Sequence, residues 1–212
     1  MKLLSDNPHS SSNNNALQKL PNELPAIQKL QNKFPTFKDF SMGYNPSIWE
    51  GCSRQPTRCI SSDAPTLFDI NSAYGDGCSI AWLMAQLTAF QEKLNVQHKM
   101  TSYEIETCAQ TIFDHYHHLK TSEIMLFLAR LLGGMYPVDW YGYVTPTKII
   151  TALREHFMPW RNDLLYKIDK QEKERKAKEE AAKPTCTWQE FLEERGEEYR
   201  DSPIDRLING AK

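Results

Sequence analysis

Residues 122–132 read Ser-Glu-Ile-Met-Leu-Phe-Leu-Ala-Arg-Leu-Leu, and they constrain this 212-residue chain more than any other stretch. Ile124, Met125, Leu126, Phe127, Leu128, Ala129, Leu131 and Leu132 would cover every side of a helix, with only Glu123 and Arg130 breaking the pattern. A helix that is apolar all round belongs in the middle of a core. Its 11 residues are too few to cross a bilayer, which takes about 20. Gly133 and Gly134 stop it, because glycine readily takes the left-handed conformation of a helix end. The rest of the chain has to supply elements that wrap around this helix.

Those elements are legible as further helices. Thr101 followed by Glu104 makes a capping box, in which each side chain satisfies the other's backbone N–H. Ile105, Cys108, Ala109, Ile112, Tyr116 and Leu119 then form one stripe at helical spacing. Thr145 and Pro146 open another helix as N-cap and first residue, with a stripe of Ile149, Leu153, Phe157, Trp160, Leu164 and Ile168. Upstream, Ile80, Leu83, Met84, Leu87, Phe90 and Leu94 define a helix over 79–94, set apart by Gly75 and Gly77 from a short turn near 67–73. Pro159 predicts either a kink or a break, with one helix ending near Phe157 and a second starting with Pro159 in its first turn.

The predicted fold is therefore mostly α. It is a compact bundle of about four helices (79–94, 102–119, 122–132 and 146–165) with an aromatic, glycine-rich connector over 133–145. A disordered N-terminal lead precedes the bundle and a charged C-terminal helical extension follows it. The expected segments are a flexible or irregular lead (1–65), a helical core domain (66–165), a charged helix (166–183) and an acidic amphipathic tail (184–212).

In the lead, residues 10–15 are a polar run with too little apolar surface to offset ordering. Leu24, Ile27, Leu30, Phe34, Phe37 and Phe40 follow, punctuated by Pro21, Pro25 and Pro35. They fit a flexible segment laying aromatics on the core, or a linear motif that docks on a partner. Residues 166–183 hold seven Lys/Arg against five Asp/Glu, and residues 184–212 hold four against seven. Pairs such as Asp169–Lys173, Glu172–Lys176 and Glu174–Lys178 have the favourable i,i+4 order. No sustained a/d apolar repeat is present, so no coiled coil is expected. Thr187 and Glu190 form a further capping box for a short helix presenting Trp188 and Phe191.

Composition excludes several classes of function. A net charge of −2 and a pI near 6.3 give no overall basic signature for nucleic acid. Five scattered cysteines (Cys52, Cys59, Cys78, Cys108 and Cys186) suit a reduced, cytoplasmic protein better than a disulfide scaffold. Cys52 and Cys59 lack the second pair of ligands that a structural zinc site needs. Met1, Lys2, Leu3 and Leu4 are followed at once by Ser5, Asp6, Asn7 and Pro8, so neither a secretory signal nor a membrane span is expected. There is no GxxxxGK[ST], GxGxxG or GxSxG pattern, no HExxH, and no pattern calling for a cofactor.

Two stretches remain as candidate sites. In the first, Asp114, His115 and His118 have spacing that could place metal ligands on one side of a helix. The alternative is a solvated helix end whose histidines complement the macrodipole, and no metal site is assigned. The second is the connector, where Tyr136, Trp140, Tyr141 and Tyr143 fall within eight residues. Such a group can grip a peptide or stack on bases, or it can cover the helix ends as a lid. Lys148, Arg154 and Arg161, with Lys167 and Lys170 of the charged helix, are the cations a nucleic-acid surface would use. Residues 101–165 nevertheless carry five basic against seven acidic side chains.

The blocks AYGDGCSIAWLMAQL and KMTSYEIETCAQTIFDHYHHLKTSEIMLFLARLLGGMYPVDWYGYVTPTKIITALREHF resemble a group of small helical proteins from Bacteroides-type prophages and mobile elements. The shared features are Trp82-Leu83, Met100-Thr101, Ser122-Glu123, the turn from Gly134 to Tyr143, and Val144 to Pro146. That family carries no settled activity, so the resemblance implies a lineage rather than a mechanism. A weaker similarity links the compact helical unit and its charged extension to phage helicase-loader and replisome-organiser proteins.

Together these readings lead to the expectation of a non-enzymatic adaptor of phage or mobile-element type. It would act through a protein partner, with a replication protein as the expected class. Its contacts would be Tyr136, Trp140, Tyr141 and Tyr143, with Trp188 and Phe191 as a second set. A nucleic-acid-binding accessory protein is the alternative, a virion structural component is a further one, and a metal-dependent activity through His115 and His118 stays open. The sequence specifies no oligomeric state.

Overall fold

Threonine starts four of the helices in the computed structural model, which describes residues 23–182. In chain order the helices are α1 Glu23–Lys33, α2 Phe37–Gly43, α3 Trp49–Arg54, α4 Pro56–Ser61, α5 Leu67–Tyr74, α6 Cys78–Lys93, α7 Ser102–Tyr116, α8 Thr121–Leu132, α9 Pro146–Ala152 and α10 Met158–Ala182. Thr36, Thr66 and Thr101 each complete a capping box, with Asp39, Asp69 and Glu104 respectively. Thr145 caps α9 by accepting from the Lys148 N–H. The protein is mostly α, and among the described residues the extended pairing is limited to two isolated bridges, Thr66 with Lys120 and His98 with Tyr143. The chain divides into two compact units, Met1–Leu165 and Tyr166–Lys212.

In the first unit α8 lies at the centre, as its all-round apolar sequence requires. Every residue from 121 to 128 is buried, and so is Leu131. Ile105, Cys108, Ala109 and Ile112 of α7 are buried as their spacing predicts. Ile149, Ala152, Leu153 and Phe157 are buried as well, with the Phe157 ring 5.4 Å from Phe127 of α8. The structure resolves the conflict at Pro159 without a break. Residues Leu153–Phe157 form a π-helical turn between α9 and α10, and Pro159 is the second residue of α10. A proline ring clashes with the carbonyl four residues back in an α-helix, and the wider π turn falls on the residues that would carry that clash.

Residues 23–61 are helical where the sequence predicts an irregular lead. Their organising side chain is Phe40, which is fully buried. Its ring centroid lies 4.9 Å from Tyr44, 5.7 Å from Tyr74, 6.0 Å from Phe34, and 6.3 Å from both Phe37 and Trp82. Aromatic pairs at such separations add to the area term of burial. Gly43 permits this packing, because a Cβ there would come within 2.5 Å of the Phe34 ring. The docking-motif reading of Phe40 fails for the same reason: its ring is inside the protein.

The helix α6 also faces differently from its predicted stripe. Ser79, Trp82, Leu83, Gln86, Leu87, Phe90 and Gln91 are buried, whereas Ile80, Met84 and Leu94 are only partly covered. Trp82 and Gln86 turn toward the N-terminal helices. Trp82 Nε1 donates to the Tyr44 carbonyl at 2.9 Å, and Gln86 Nε2 donates to the same oxygen at 2.8 Å. Gln86 Oε1 accepts from Trp49 Nε1 at 2.8 Å. A buried amide is tolerated when its donors and acceptor are matched in this way.

The start of α8 ties these parts together. The Lys120 ammonium donates to the carbonyls of Ile60 at 2.9 Å and Ser62 at 2.6 Å. Ser122 Oγ donates to the Cys59 carbonyl at 2.7 Å. Backbone bonds run from Thr121 N to Pro65 O at 2.9 Å and from Leu67 N to Leu119 O at 3.0 Å. Glu123, fully buried, accepts from Lys120 N at 2.9 Å and from Arg161 Nε at 2.7 Å.

The second unit is described over 166–182, the later part of α10. Arg175 bonds both Glu172 and Glu179, and Lys176 lies 3.5 Å from Glu172. Of the predicted pairs, Glu172–Lys176 forms, and Arg175 is the centre of the charge network. Trp188 and Phe191 lie outside the described residues. No helix among the described residues is long and apolar enough to cross a membrane.

Removing one partner of a buried ion pair strands the other. Glu123→Ala is expected to destabilise the protein by about 3–5 kcal/mol, whereas Arg154→Ala, which loses an exposed pair with Glu155, is expected to cost less than about 1 kcal/mol. Urea denaturation of the two variants tests the contrast, and equal losses would contradict it.

Candidate functional site

The 133–145 connector is built as a pinned loop. It leaves α8 through Gly133 and Gly134, the latter at φ 69°. Tyr136 then turns back into the protein and is 7% exposed. Its ring stacks against Phe127 at 6.1 Å and His156 at 5.9 Å, and its hydroxyl accepts from Arg130 Nε at 2.9 Å. Burial raises the Tyr136 pKa, against the opposing pull of Arg130. The Arg130 guanidinium lies 3.8 Å from the centroid of the Trp160 ring, a close cation–π contact. Trp140 is half-buried and packs on Phe90 at 5.8 Å.

Beyond Trp140 the loop faces outward. Tyr141 is 83% exposed and Tyr143 is 53% exposed. Tyr141 has φ 34°, the one positive value among the described non-glycine residues. A left-handed residue of this kind costs on the order of 1–2 kcal/mol, so surrounding contacts have to hold it. Asp139 Oδ1 accepts from the Tyr141 N–H at 3.1 Å, and Gly142 follows at φ 77°. A hydrogen bond to the Asp139 side chain, then its charge, raises the Tyr141 pKa.

The Lys148 ammonium fixes the loop from below, donating to Trp140 O at 3.0 Å and Tyr143 O at 3.2 Å. His98 fixes it from the side. The His98 N–H donates to Gly142 O at 2.8 Å, Val144 N donates to His98 O at 3.0 Å, and the His98 and Tyr143 rings stack at 4.4 Å. Sequence patterning missed His98, which sits in a polar stretch with no periodicity to mark it.

The four predicted aromatics therefore divide. Tyr136 belongs to the core and Trp140 covers it, so the lid reading holds for these two. Tyr141 and Tyr143 are presented to solvent. The predicted cations are mostly engaged elsewhere. Lys148 serves two carbonyls, Arg161 pairs with buried Glu123 at 14% side-chain exposure, and Arg154 pairs with Glu155 at 2.8 Å. Lys167 and Lys170 are exposed in the second unit.

The histidine cluster assembles no ligand set. Among the described residues no group of three or more His, Cys, Asp or Glu could hold a metal ion. Asp114 accepts from Gln110 Nε2 at 2.7 Å, and the Phe113 and Phe68 rings lie about 6 Å from the His117 ring. Burial, followed by the charges of Arg161 and His117, lowers the His118 pKa.

Replacing Lys148 with Met keeps the apolar stem and removes both bonds to the loop. Hydrogen bonds to a charged group contribute about 1.5–3 kcal/mol, so the amides of His98, Tyr143 and Val144 are expected to exchange roughly ten- to a hundredfold faster. Unchanged exchange at these amides would show that the ammonium does not hold the loop.

No family model, curated protein or solved structure matches this chain.

Proposed function

We propose that the chain is a non-enzymatic helical adaptor that docks a protein partner on Tyr141 and Tyr143. The observation that carries this reading is the combination of exposure at Tyr141 and the hydrogen bonds that anchor its loop. A large ring is 83% exposed, in a backbone conformation that is costly by itself, on a loop anchored by Lys148 and His98. Strained backbone persists where surrounding structure holds it, often at binding sites. A preorganised aromatic loses little conformational freedom on binding, which is why tyrosine anchors are common at interfaces.

The charges beside the loop favour a protein over nucleic acid. Strand binding draws most of its affinity from cations that meet phosphates. Here the nearby cations are committed to carbonyls and carboxylates, and Asp139 lies next to Tyr141. The phage or mobile-element lineage and a replication setting belong to the same proposal, resting on the sequence resemblance. Cytoplasmic placement follows from that setting.

The proposal is tested by affinity capture from a lysate of the source organism, with and without nuclease. Wild type is compared with Tyr141→Ala/Tyr143→Ala and with the exposed control Tyr103→Ala on α7. The expected result is a protein partner that survives nuclease, is retained by Tyr103→Ala and is reduced at least about tenfold in the double variant, a loss of about 1.4 kcal/mol over the two rings. Loss on nuclease treatment alone would move the assignment to nucleic acid. Retention by the double variant would remove the site.

A further inference from the structure

A second site lies among the short N-terminal helices, and it involves two cysteines. Cys52 on α3 and Cys59 on α4 stand either side of the tight turn at Gln55 and Pro56. The Cys59 Sγ lies 3.6 Å from the Cys52 carbonyl oxygen. Both are free thiols, buried at 8% and 9% exposure, and both lie in the wall of one cleft of about 670 Å3. Its charged walls are Lys33, Arg58 and Asp63. Two cations thus face one carboxylate. Arg58 bonds only Gln55 Oε1, at 3.3 Å, and Lys33 rests over the Phe34 ring at 5.3 Å; neither makes an ion pair among the described residues.

From this arrangement we infer that the cleft is a thiol-modification site, in which Cys59 and Cys52 react in sequence with a small anionic disulfide held by Arg58 and Lys33. The order of the two thiols follows from their surroundings. Burial raises both pKa values, that of Cys52 to about 12, and the charge of Cys59 raises Cys52 further. The Cys52 thiol and the Arg58 charge instead favour the Cys59 thiolate. Arg58, the chain neighbour of Cys59 on α4 and a wall of the same cleft, stands beside Cys59 rather than Cys52, which places Cys59 as the attacking sulfur; the thiolate is the reacting form.

The exchange balances without any other reagent. The Cys59 thiolate attacks one sulfur of the small disulfide and expels the other half as a thiol. The Cys52 sulfur then attacks the Cys59 sulfur of the mixed disulfide and expels the second half, closing a Cys52–Cys59 bond. The protein loses two electrons and two protons, and the small disulfide becomes two thiols. Closing the bond requires the sulfurs to meet at about 2.05 Å. α3 and α4 are six residues each and joined through one residue, Gln55, so the adjustment falls on two short helices.

Oxidised glutathione is the anionic probe and bis(2-hydroxyethyl) disulfide the neutral one, each applied to the folded full chain carrying Cys186→Ser. Peptide mapping without reductant follows the four remaining cysteines. A Cys52–Cys59 link is expected before modification of Cys78 or Cys108, formed faster with the anionic probe. Cys52→Ser, with Cys52→Ala as a second variant, is expected to trap one glutathione on Cys59. Arg58→Gln is expected to reduce the preference for the anionic probe by roughly two- to fivefold, the size of one solvent-screened charge contact. Prior reaction at Cys78, equal rates with the two probes, or a Cys59 that stays free in the Cys52 variants would overturn the assignment.

Discussion

The first turn of α8 carries the constraint on which the first unit depends. This turn is surrounded by protein, yet a helix start leaves N–H groups that need acceptors. Glu123 supplies one by reaching back to the Lys120 N–H, and Arg161 supplies the balancing charge. Lys120 and Ser122 then satisfy carbonyls of α4 and the segment after it. The same few residues therefore close the helix, neutralise a buried acid and fasten the N-terminal helices. Such an arrangement is sensitive to partial loss, since a buried polar network with one member missing costs more than an apolar replacement of the whole.

Much of this was legible in the sequence, and the exceptions have physical causes. The all-round apolar pattern of α8, the Thr101–Glu104 box and the Thr145–Pro146 start each rest on local chemistry, and local chemistry can be read from sequence. The same T-x-x-[DE] signal occurs at Thr36–Asp39 and Thr66–Asp69 and marks α2 and α5 as clearly. The prolines around them suggested an irregular lead, but short helices between prolines are stable when they pack, as Phe40 shows. Leu83, Leu87 and Phe90 of the α6 stripe are buried as their spacing predicts, but the face shifts toward Trp82 and Gln86, which take their partners from Tyr44 and Trp49, some 40 residues away. Arg161 looked like a free cation because its acid lies 38 positions earlier. No periodicity encodes such pairings.

The connector shows how a core can define a surface. Tyr136 and Trp140 spend their area on Phe127, His156 and Phe90. That fixes the first half of the loop, and Lys148 and His98 fix the second. What remains exposed, Tyr141 and Tyr143, is held in one conformation by residues whose own roles are structural. The sequence marked all four aromatics alike, because composition cannot separate the rings that anchor a loop from the rings that the loop presents.

The central claim is that the start of α8 joins the N-terminal helices and the core into one cooperative unit. Native-state hydrogen exchange at the amides of Thr121, Leu67 and Phe68 tests it most directly, since these donate to Pro65, Leu119 and His117 across the junction. The account predicts that all three exchange only through global unfolding, with the same denaturant dependence as the amides inside α8. Exchange through a lower-energy opening, with α8 still protected, would contradict it and would make the N-terminal helices a separable layer.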